Sequence, residues 1–211
     1  MEDDKAIGDP QGTVPDGPWL PELSMPAAEA GELRDRYRAA RCILEYGSGG
    51  STVFAAAETR ARIVSIESDA AWAARLRQSL ADAGLMRDGI DIRHADIGPT
   101  KEWGMPKTHN DWRKYWRLPM GYWQEPDRMD PDLMLIDGRF RLGCFLSAVL
   151  CTRVPLTVLW DDYQGRGGYA AAERWFPVAA MTGRMARFEI EPRRYGNPEF
   201  AEMLGGFFSS R

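Results

Sequence analysis

The stretch that decides the fold is Arg41-Cys-Ile-Leu-Glu-Tyr-Gly-Ser-Gly-Gly-Ser-Thr52. A short apolar run ends in an acid, Glu45, and is followed by a turn that contains Gly47, Gly49 and Gly50. An alanine-rich segment of helical composition comes next. A buried strand that passes through a glycine turn into a helix directs free backbone N–H groups and the positive end of the helix dipole at one point. Because glycine has no Cβ, a carboxylate or phosphate can approach that point closely.

Outward from this stretch, apolar runs of strand length alternate with segments of helical spacing. The predicted strands cover residues 42–45, 62–67, 90–95, 133–136, 156–160 and 185–191. The predicted helices cover residues 26–40, 53–60, 69–83, 140–153, 169–182 and a short C-terminal stretch. Nearly continuous apolar strands that alternate with helices predict an α/β domain with a doubly wound, mostly parallel, Rossmann-like sheet and helices on both faces. Only one strand follows the last long helix, so the final edge of the sheet is expected to be truncated.

Length and composition place the chain among ordinary soluble domains. Its 211 residues suit one domain, predicted here as residues 26–211, after an irregular lead-in over residues 1–25 that is rich in Gly, Pro and Asp. The net charge of −4 argues against a broad electrostatic grip on nucleic acid or on an anionic membrane. The start of the chain is acidic and has no apolar signal core, and no apolar run reaches the length of a membrane span. The three cysteines lie in apolar runs and suit reduced, buried thiols, so we expect a cytoplasmic protein.

An acid follows almost every predicted strand at the same end. These acids are Glu45, Glu67, Asp96, Asp137, Asp161 and Asp162. In a doubly wound sheet, ligands bind beyond the carboxyl ends of the strands. A row of carboxylates along that edge is hard to explain by folding alone, so it predicts a ligand site.

At this point the sequence resembles the class I S-adenosylmethionine-dependent methyltransferases. Residues 44–51 (Leu-Glu-Tyr-Gly-Ser-Gly-Gly-Ser) are similar to the first motif of that family, and residues 65–67 to the second. Residues 92–96 and 133–138 are similar to the third and fourth. Four motifs in order, each at a strand end, make a specific signal that spans roughly residues 40–190.

The resemblance implies how S-adenosylmethionine is held. Glu45 and the amides of Gly47 and Gly49 would hold its methionine part, and Ser51 would face its carboxylate. Glu67 would accept hydrogen bonds from the ribose hydroxyls.

Asp96 would accept a hydrogen bond from the amino group of adenine. The competing cofactor is NAD(P), bound by an oxidoreductase of related fold that would also use Glu67. Thr52 stands where the dinucleotide fingerprint needs a small residue, and Glu45 would repel a pyrophosphate.

Asp137 and the pair Asp161-Asp162 follow two strands that are neighbours in this topology. The pattern resembles the metal-dependent O-methyltransferases that act on catechols and antibiotic sugars. There, acids at these places bind Mg²⁺, which orients two substrate hydroxyls and lowers the pKa of one. The resemblance thus implies Asp137, Asp161 and Asp162 as metal ligands. Capping of the following helix is the other interpretation of Asp161-Asp162.

One position departs from that pattern. In the sugar-modifying branch a carboxylate two places after the fourth-motif acid is the general base, and here that place holds Arg139, which stays protonated. The candidate catalytic residues are therefore Asp137, Arg139 and His109. Other candidates for the proton acceptor are His94, Lys107 and Tyr163. Alternatively the metal alone acidifies the hydroxyl, or the chain is a cofactor-binding regulatory protein without catalysis. Arg139 and Arg141 also suit a clamp on an anionic substrate.

Residues 98–131 form an insertion rich in aromatic and basic side chains. We interpret it as a lid or wall for a small-molecule substrate, since aromatic faces stack on rings and closure excludes water. The alternatives are a local core, a contact in a homodimer and, least favoured because acids dilute the charge, a surface for single-stranded nucleic acid.

Overall fold

The computed structural model describes residues 18–210, in which seven strands form one sheet. The strands are β1 (Cys42–Tyr46), β2 (Arg62–Glu67), β3 (Ile90–His94), β4 (Leu133–Ile136), β5 (Leu156–Trp160), β6 (Ala180–Thr182) and β7 (Met185–Ile190). Their order across the sheet is β3-β2-β1-β4-β5-β7-β6. Strands β1 to β5 pair in parallel, and β7 is antiparallel to both β5 and β6. The predicted fold class is confirmed.

In the part of the chain that the structure describes, six α-helices accompany the sheet. They are α1 (Ala27–Ala39), α2 (Gly50–Glu58), α3 (Ala70–Asp82), α4 (Arg117–Met120), α5 (Arg141–Cys151) and α6 (Asn197–Leu204). Short 3₁₀ helices cover Glu102–Gly104, Trp112–Lys114, Tyr122–Gln124, Tyr169–Arg174 and Gly205–Phe208, and a small ladder joins Thr100–Lys101 to Met105–Pro106. Within residues 18–210, no helix is both long enough and apolar enough to span a bilayer.

Each face of the sheet is covered by its own apolar layer. Leu33 of α1, Ala55 of α2 and Leu76 of α3 are fully buried in the layer on one face. Phe145 of α5 lies in the layer on the other face, and the insertion contributes the buried ring of Tyr115 to it. Burial on both faces explains why the parallel strands have continuous apolar sequences.

The last edge of the sheet differs from the prediction. A 3₁₀ helix, Tyr169–Arg174, is followed by strand β6, where a helix through residue 182 was expected. Pro177 lacks an N–H group and restricts the residue before it, so a helix cannot continue through it. Gly183 adopts a φ of +55° and turns the chain directly into β7. The sheet therefore ends in two antiparallel strands, and the expected truncation is wrong.

The structure describes only part of the predicted lead-in. Residues 18–25 form neither helix nor strand, and residues 1–17 lie outside the described residues. In the insertion, Tyr122 and Trp123 are buried with Tyr115, so these aromatic rings complete the core on their face of the sheet. Trp103, Trp112 and Trp116 remain exposed.

Candidate functional site

A cavity of about 690 Å³ opens beyond the carboxyl ends of β1 and β4, the adjacent strands at which the strand order reverses. Doubly wound sheets bind ligands at this kind of position. The cavity walls come from residues 47–51, 67–69, 137–139 and 161–162, with residues 21–25 along one side. Its volume lies within the range of about 300–1,000 Å³ that is usual for small-molecule sites.

Gly47 and Gly138 lie in close contact where the turn after β1 passes the end of β4. Gly47 has a φ of +98°, and a Cβ placed on it would lie 2.8 Å from the backbone nitrogen of Gly138. Only glycine satisfies both the left-handed conformation and this close approach. At Gly49 an added Cβ would meet no atom of the described protein within 4 Å, so the turn is open there. The predicted residues Gly47, Gly49 and Ser51 all line the cavity.

Glu45 lies elsewhere, contrary to the prediction that it contacts the cofactor. Its side chain is fully buried and points from β1 towards α1 and α2. It accepts hydrogen bonds from the Tyr37 hydroxyl at 2.7 Å and the Thr52 hydroxyl at 2.6 Å. Thr52 Oγ1 in turn accepts from the Gly49 N–H at 3.0 Å. Burial raises the pKa of Glu45, and its hydrogen bonds partly oppose that rise. Glu45 therefore supports the glycine turn from behind.

Glu67 lines the cavity at the end of β2 and is held there by backbone amides. Its Oε1 accepts from the N–H groups of Ser68 at 2.7 Å and Asp69 at 2.9 Å, and its Oε2 accepts from the Ser48 N–H at 3.1 Å. Each carboxylate oxygen has more than one acceptor site. Glu67 is thus fixed in orientation and can still accept from a ligand hydroxyl.

Two other predicted site residues do not reach the cavity. Asp96 accepts from the Gly98 N–H and pairs with Lys114 at 3.4 Å and Arg117 at 3.0 Å, an arrangement that lowers its pKa. His109 lies exposed in the insertion, with Nδ1 3.2 Å from the Tyr115 hydroxyl. Asp96 is held away from the cavity by its two basic partners, and His109 lies in an exposed loop. The structure therefore does not place Asp96 where it was predicted to bind adenine, or His109 where it was predicted to act in catalysis.

The three acids predicted to bind metal do line the cavity, but arginine side chains lie among them. Arg141, only 7% exposed, donates from Nη2 to Asp137 Oδ1 at 3.2 Å. It also donates to the backbone oxygens of Gly138 at 2.9 Å and Asp161 at 2.5 Å. A guanidinium thus supplies the positive charge between the ends of β4 and β5.

The remaining carboxylates are paired in the same way. Arg184 lies 3.3 Å from Asp161 Oδ2 and 2.9 Å from Asp162 Oδ1. Arg166 lies 3.0 Å from Asp162 Oδ2. Among residues 18–210, no group of three or more acidic, histidine or cysteine side chains is arranged to hold a metal ion. These residues do not fit a Mg²⁺ site, because the carboxylate oxygens that would coordinate the ion are bound by guanidinium groups.

Asp137 is a cavity carboxyl whose pKa is raised towards neutral pH. Desolvation inside the cavity raises its pKa to about 7, Arg141 opposes this rise and the charges of Asp161 and Asp162 add to it. The side chain remains 38% exposed, so the carboxyl group can meet a ligand. A carboxyl that titrates near neutral pH suits proton transfer.

Arg139, also predicted from the sequence, lines the cavity beside the insertion. Its Nε donates to the backbone oxygen of Trp103 at 2.7 Å. Trp103 has a φ of +62° and its side chain is 80% exposed at the cavity mouth. Apart from Trp103 and Gly104, the insertion contributes no lining residue among those described.

The segment 18–25, whose residues 21–25 line the cavity, was not predicted to form part of the site. The rings of Trp19 and Trp72 meet edge to face at 5.3 Å, and the Arg75 guanidinium lies 3.6 Å from the Trp19 ring centroid. Trp72 also donates from Nε1 to the Ser48 backbone oxygen at 2.8 Å. These contacts hold the segment against the glycine turn. Arg166 and Arg184 were missed too, and no local sequence pattern marks either of them.

Comparison with known proteins gives one close relative and several distant ones. A methyltransferase-like protein from Silicibacter pomeroyi is 40% identical, with a TM-score of 0.85 over 90% of this chain and 98% of that one. An O-methyltransferase from Bacillus cereus, solved in complex with SAH, is 16% identical with a TM-score of 0.51 over 81% and 82% of the two chains.

An S-adenosylmethionine-dependent O-methyltransferase from Thermotoga maritima is 12% identical, with a TM-score of 0.53 over 83% of this chain and 69% of that one. At these identities the last two share the fold alone. No protein-family model and no curated protein matches the sequence.

Proposed function

The chain belongs to the family of methyltransferase-like proteins, and from that premise we propose that it uses S-adenosylmethionine to methylate a hydroxyl group of a small molecule. One observation carries the proposal: the open glycine turn and the amide-fixed carboxylate of Glu67 line the same cavity at the switch point of the sheet. An oxidoreductase that binds NAD(P) is disfavoured by the same turn, since Thr52 bonds to Glu45 where a dinucleotide site needs a small residue.

The residues present fit S-adenosylmethionine. Glu67 offers acceptor oxygens for the two ribose hydroxyls. The first turn of α2, which includes Ser51, offers backbone donors and the positive helix end for the methionine carboxylate. The absence of a side chain at Gly47 and Gly49 lets a ligand approach the backbone closely.

When held by Glu67 and the first turn of α2, S-adenosylmethionine would supply an electrophilic methyl group for in-line displacement: an O–C bond to the acceptor would form as the C–S bond breaks, with its electron pair leaving on sulfur. The chain positions the two reactants, the largest contribution expected for a displacement of this kind. Asp137 takes the proton of the acceptor hydroxyl, because above pH 7 its carboxyl is ionised and faces the cavity. No step passes through Mg²⁺, since arginine side chains bind the acids that would hold it.

The test is transfer of labelled methyl from S-adenosylmethionine to a panel of phenols, catechols and sugars. We expect the rate to rise with pH through about 7, and Asp137→Asn to lower it by about 100-fold or more. Arg60→Gln, a matched surface change outside the cavity, should leave the rate unaltered. If the chain binds S-adenosylhomocysteine but methylates nothing on the panel, it is a cofactor-binding protein without catalysis, and the proposed activity is wrong.

A further inference from the structure

Among residues 18–210, four arginine residues line the cavity, and three of them are paired with acids. Arg141 binds Asp137, and Arg166 and Arg184 bind the pair at the end of β5. Within residues 18–210, Arg139 is the cavity arginine that forms no ion pair. Its Nη1 and Nη2 groups form no hydrogen bond to the part of the chain that the structure describes.

The position of Arg139 is nevertheless fixed. Its Nε donates to the Trp103 backbone oxygen at 2.7 Å, and its own backbone oxygen lies 3.6 Å from the Cys144 sulfur. Trp103 adopts a left-handed conformation that a bulky side chain rarely takes, and Gly104 follows with a φ of +67°. This unusual turn presents the carbonyl that holds Arg139, and backbone strain of this kind is found preferentially at ligand sites.

The surroundings of Arg139 are unfavourable to its charge. Partial burial lowers its pKa, and the neighbouring charges of Arg141 and Arg166 lower it further, while Tyr169 and Asp137 oppose part of this fall. A desolvated guanidinium beside two others is stabilised when an anion joins it, and its planar fork matches the two oxygens of a carboxylate or phosphate.

We propose that Arg139, assisted by Arg166, binds an oxyanion on the molecule to be methylated, so that the acceptor is a hydroxylated carboxylate or phosphate ester. The nature of the methyl acceptor rests on the proposed function, whereas anion binding by Arg139 does not. The cavity volume of about 690 Å³ is at the upper part of the usual range, which leaves space for an acceptor beside a nucleoside-sized cofactor. Asp137 lies two residues from Arg139 and faces the same cavity.

The experiment is a calorimetric titration of the full chain, both unliganded and saturated with S-adenosylhomocysteine. The probes are benzoate and phenyl phosphate, which separate the two sources of oxyanion, with neutral phenol as the uncharged control. The variants are Arg139→Gln, Arg139→Lys, which keeps the charge without the fork, and Arg60→Gln, an exposed arginine outside the cavity. Melting temperatures check that each variant folds. If Arg139→Gln does not fold, the comparison is made with Arg139→Lys.

We expect at least one anion to bind at least tenfold more tightly than phenol. Arg139→Gln should weaken that anion at least tenfold, Arg139→Lys should weaken it less, and Arg60→Gln should leave it unchanged. The inference is overturned if neither anion binds, if phenol binds as well as they do, or if Arg139→Gln leaves anion affinity within twofold.

It is equally overturned if Arg139→Gln weakens S-adenosylhomocysteine itself more than tenfold, because Arg139 would then hold the cofactor carboxylate. Failure of S-adenosylhomocysteine to bind the unaltered chain would count against the proposed function. The anion titration of the unliganded chain would still decide the role of Arg139.

Discussion

Thr52 Oγ1 lies 2.6 Å from Glu45 Oε2 and, through its bond to the Gly49 amide, connects a fully buried carboxylate to the glycine turn. The acid before the turn therefore acts on the binding site from inside the core. A buried, fully hydrogen-bonded network of this kind fixes one conformation of the segments that it joins.

The first prediction concerns the pH dependence of stability. Burial raises the folded-state pKa of Glu45 above its unfolded value of about 4.5, so folding is favoured by protonation of this group. That contribution is complete below the unfolded-state pKa and is lost as pH rises through the folded-state pKa. Glutamine stays neutral, so the free energy of unfolding of Glu45→Gln should increase relative to the unaltered chain as the pH rises above about 4.5.

Urea denaturation at a series of pH values measures this difference. Glu58→Gln, at the exposed end of α2, controls for the loss of one carboxylate. A difference for Glu45→Gln that stays constant across the series would contradict the assignment of a raised pKa.

The second prediction separates strain from access at the glycine turn. Gly47→Ala should lower the free energy of unfolding by about 3 kcal/mol, because its φ is +98° and the new Cβ would collide with Gly138. Gly49→Ala should change it by less than about 0.5 kcal/mol, because its backbone is extended and its Cβ meets nothing in the described protein. Gly49→Ala should still weaken S-adenosylhomocysteine. Equal destabilisation by both variants would refute this geometry.

The third prediction concerns the arginine residues among the acids. Arg141→Met should cost about 3 kcal/mol of stability, because it leaves the Asp137 carboxylate and three backbone oxygens without their buried cationic donor. Arg166→Met should cost less than about 1 kcal/mol, because that side chain is 48% exposed. Chemical denaturation of both variants provides the measurement, and a larger effect at Arg166 would show that the charges are arranged differently.

Much of the fold was readable from the sequence because burial on both faces imposes continuous apolar strands. Strands β2, β4 and β5 have the predicted limits. The last helix was misjudged because Ala170 to Ala172 suit a helix locally, whereas pairing of β6 with β7 decides the structure of the following segment.

The site was predictable as far as it depends on strand ends. Glu67 and Asp137 lie at the common edge of a parallel sheet, and the sequence placed both at the cavity. Glu45 was misplaced because side chains alternate along β1. Glu45 lies on the same face of the sheet as Ile43, which is the face covered by α1 and α2. Arg184 and Asp161 are 23 positions apart in the sequence. They meet because Arg184 lies in the turn between β6 and β7, and that antiparallel pair was not predicted. Local patterns carry no information of that kind.

The most direct measurement is a calorimetric titration of the chain with S-adenosylhomocysteine, with and without Mg²⁺. We predict one site per chain and the same affinity in both conditions. Glu67→Gln should weaken binding about tenfold, since loss of hydrogen bonds to a charged acceptor costs roughly 1.5 kcal/mol or more. Absence of binding to the unaltered chain in either condition would contradict the account.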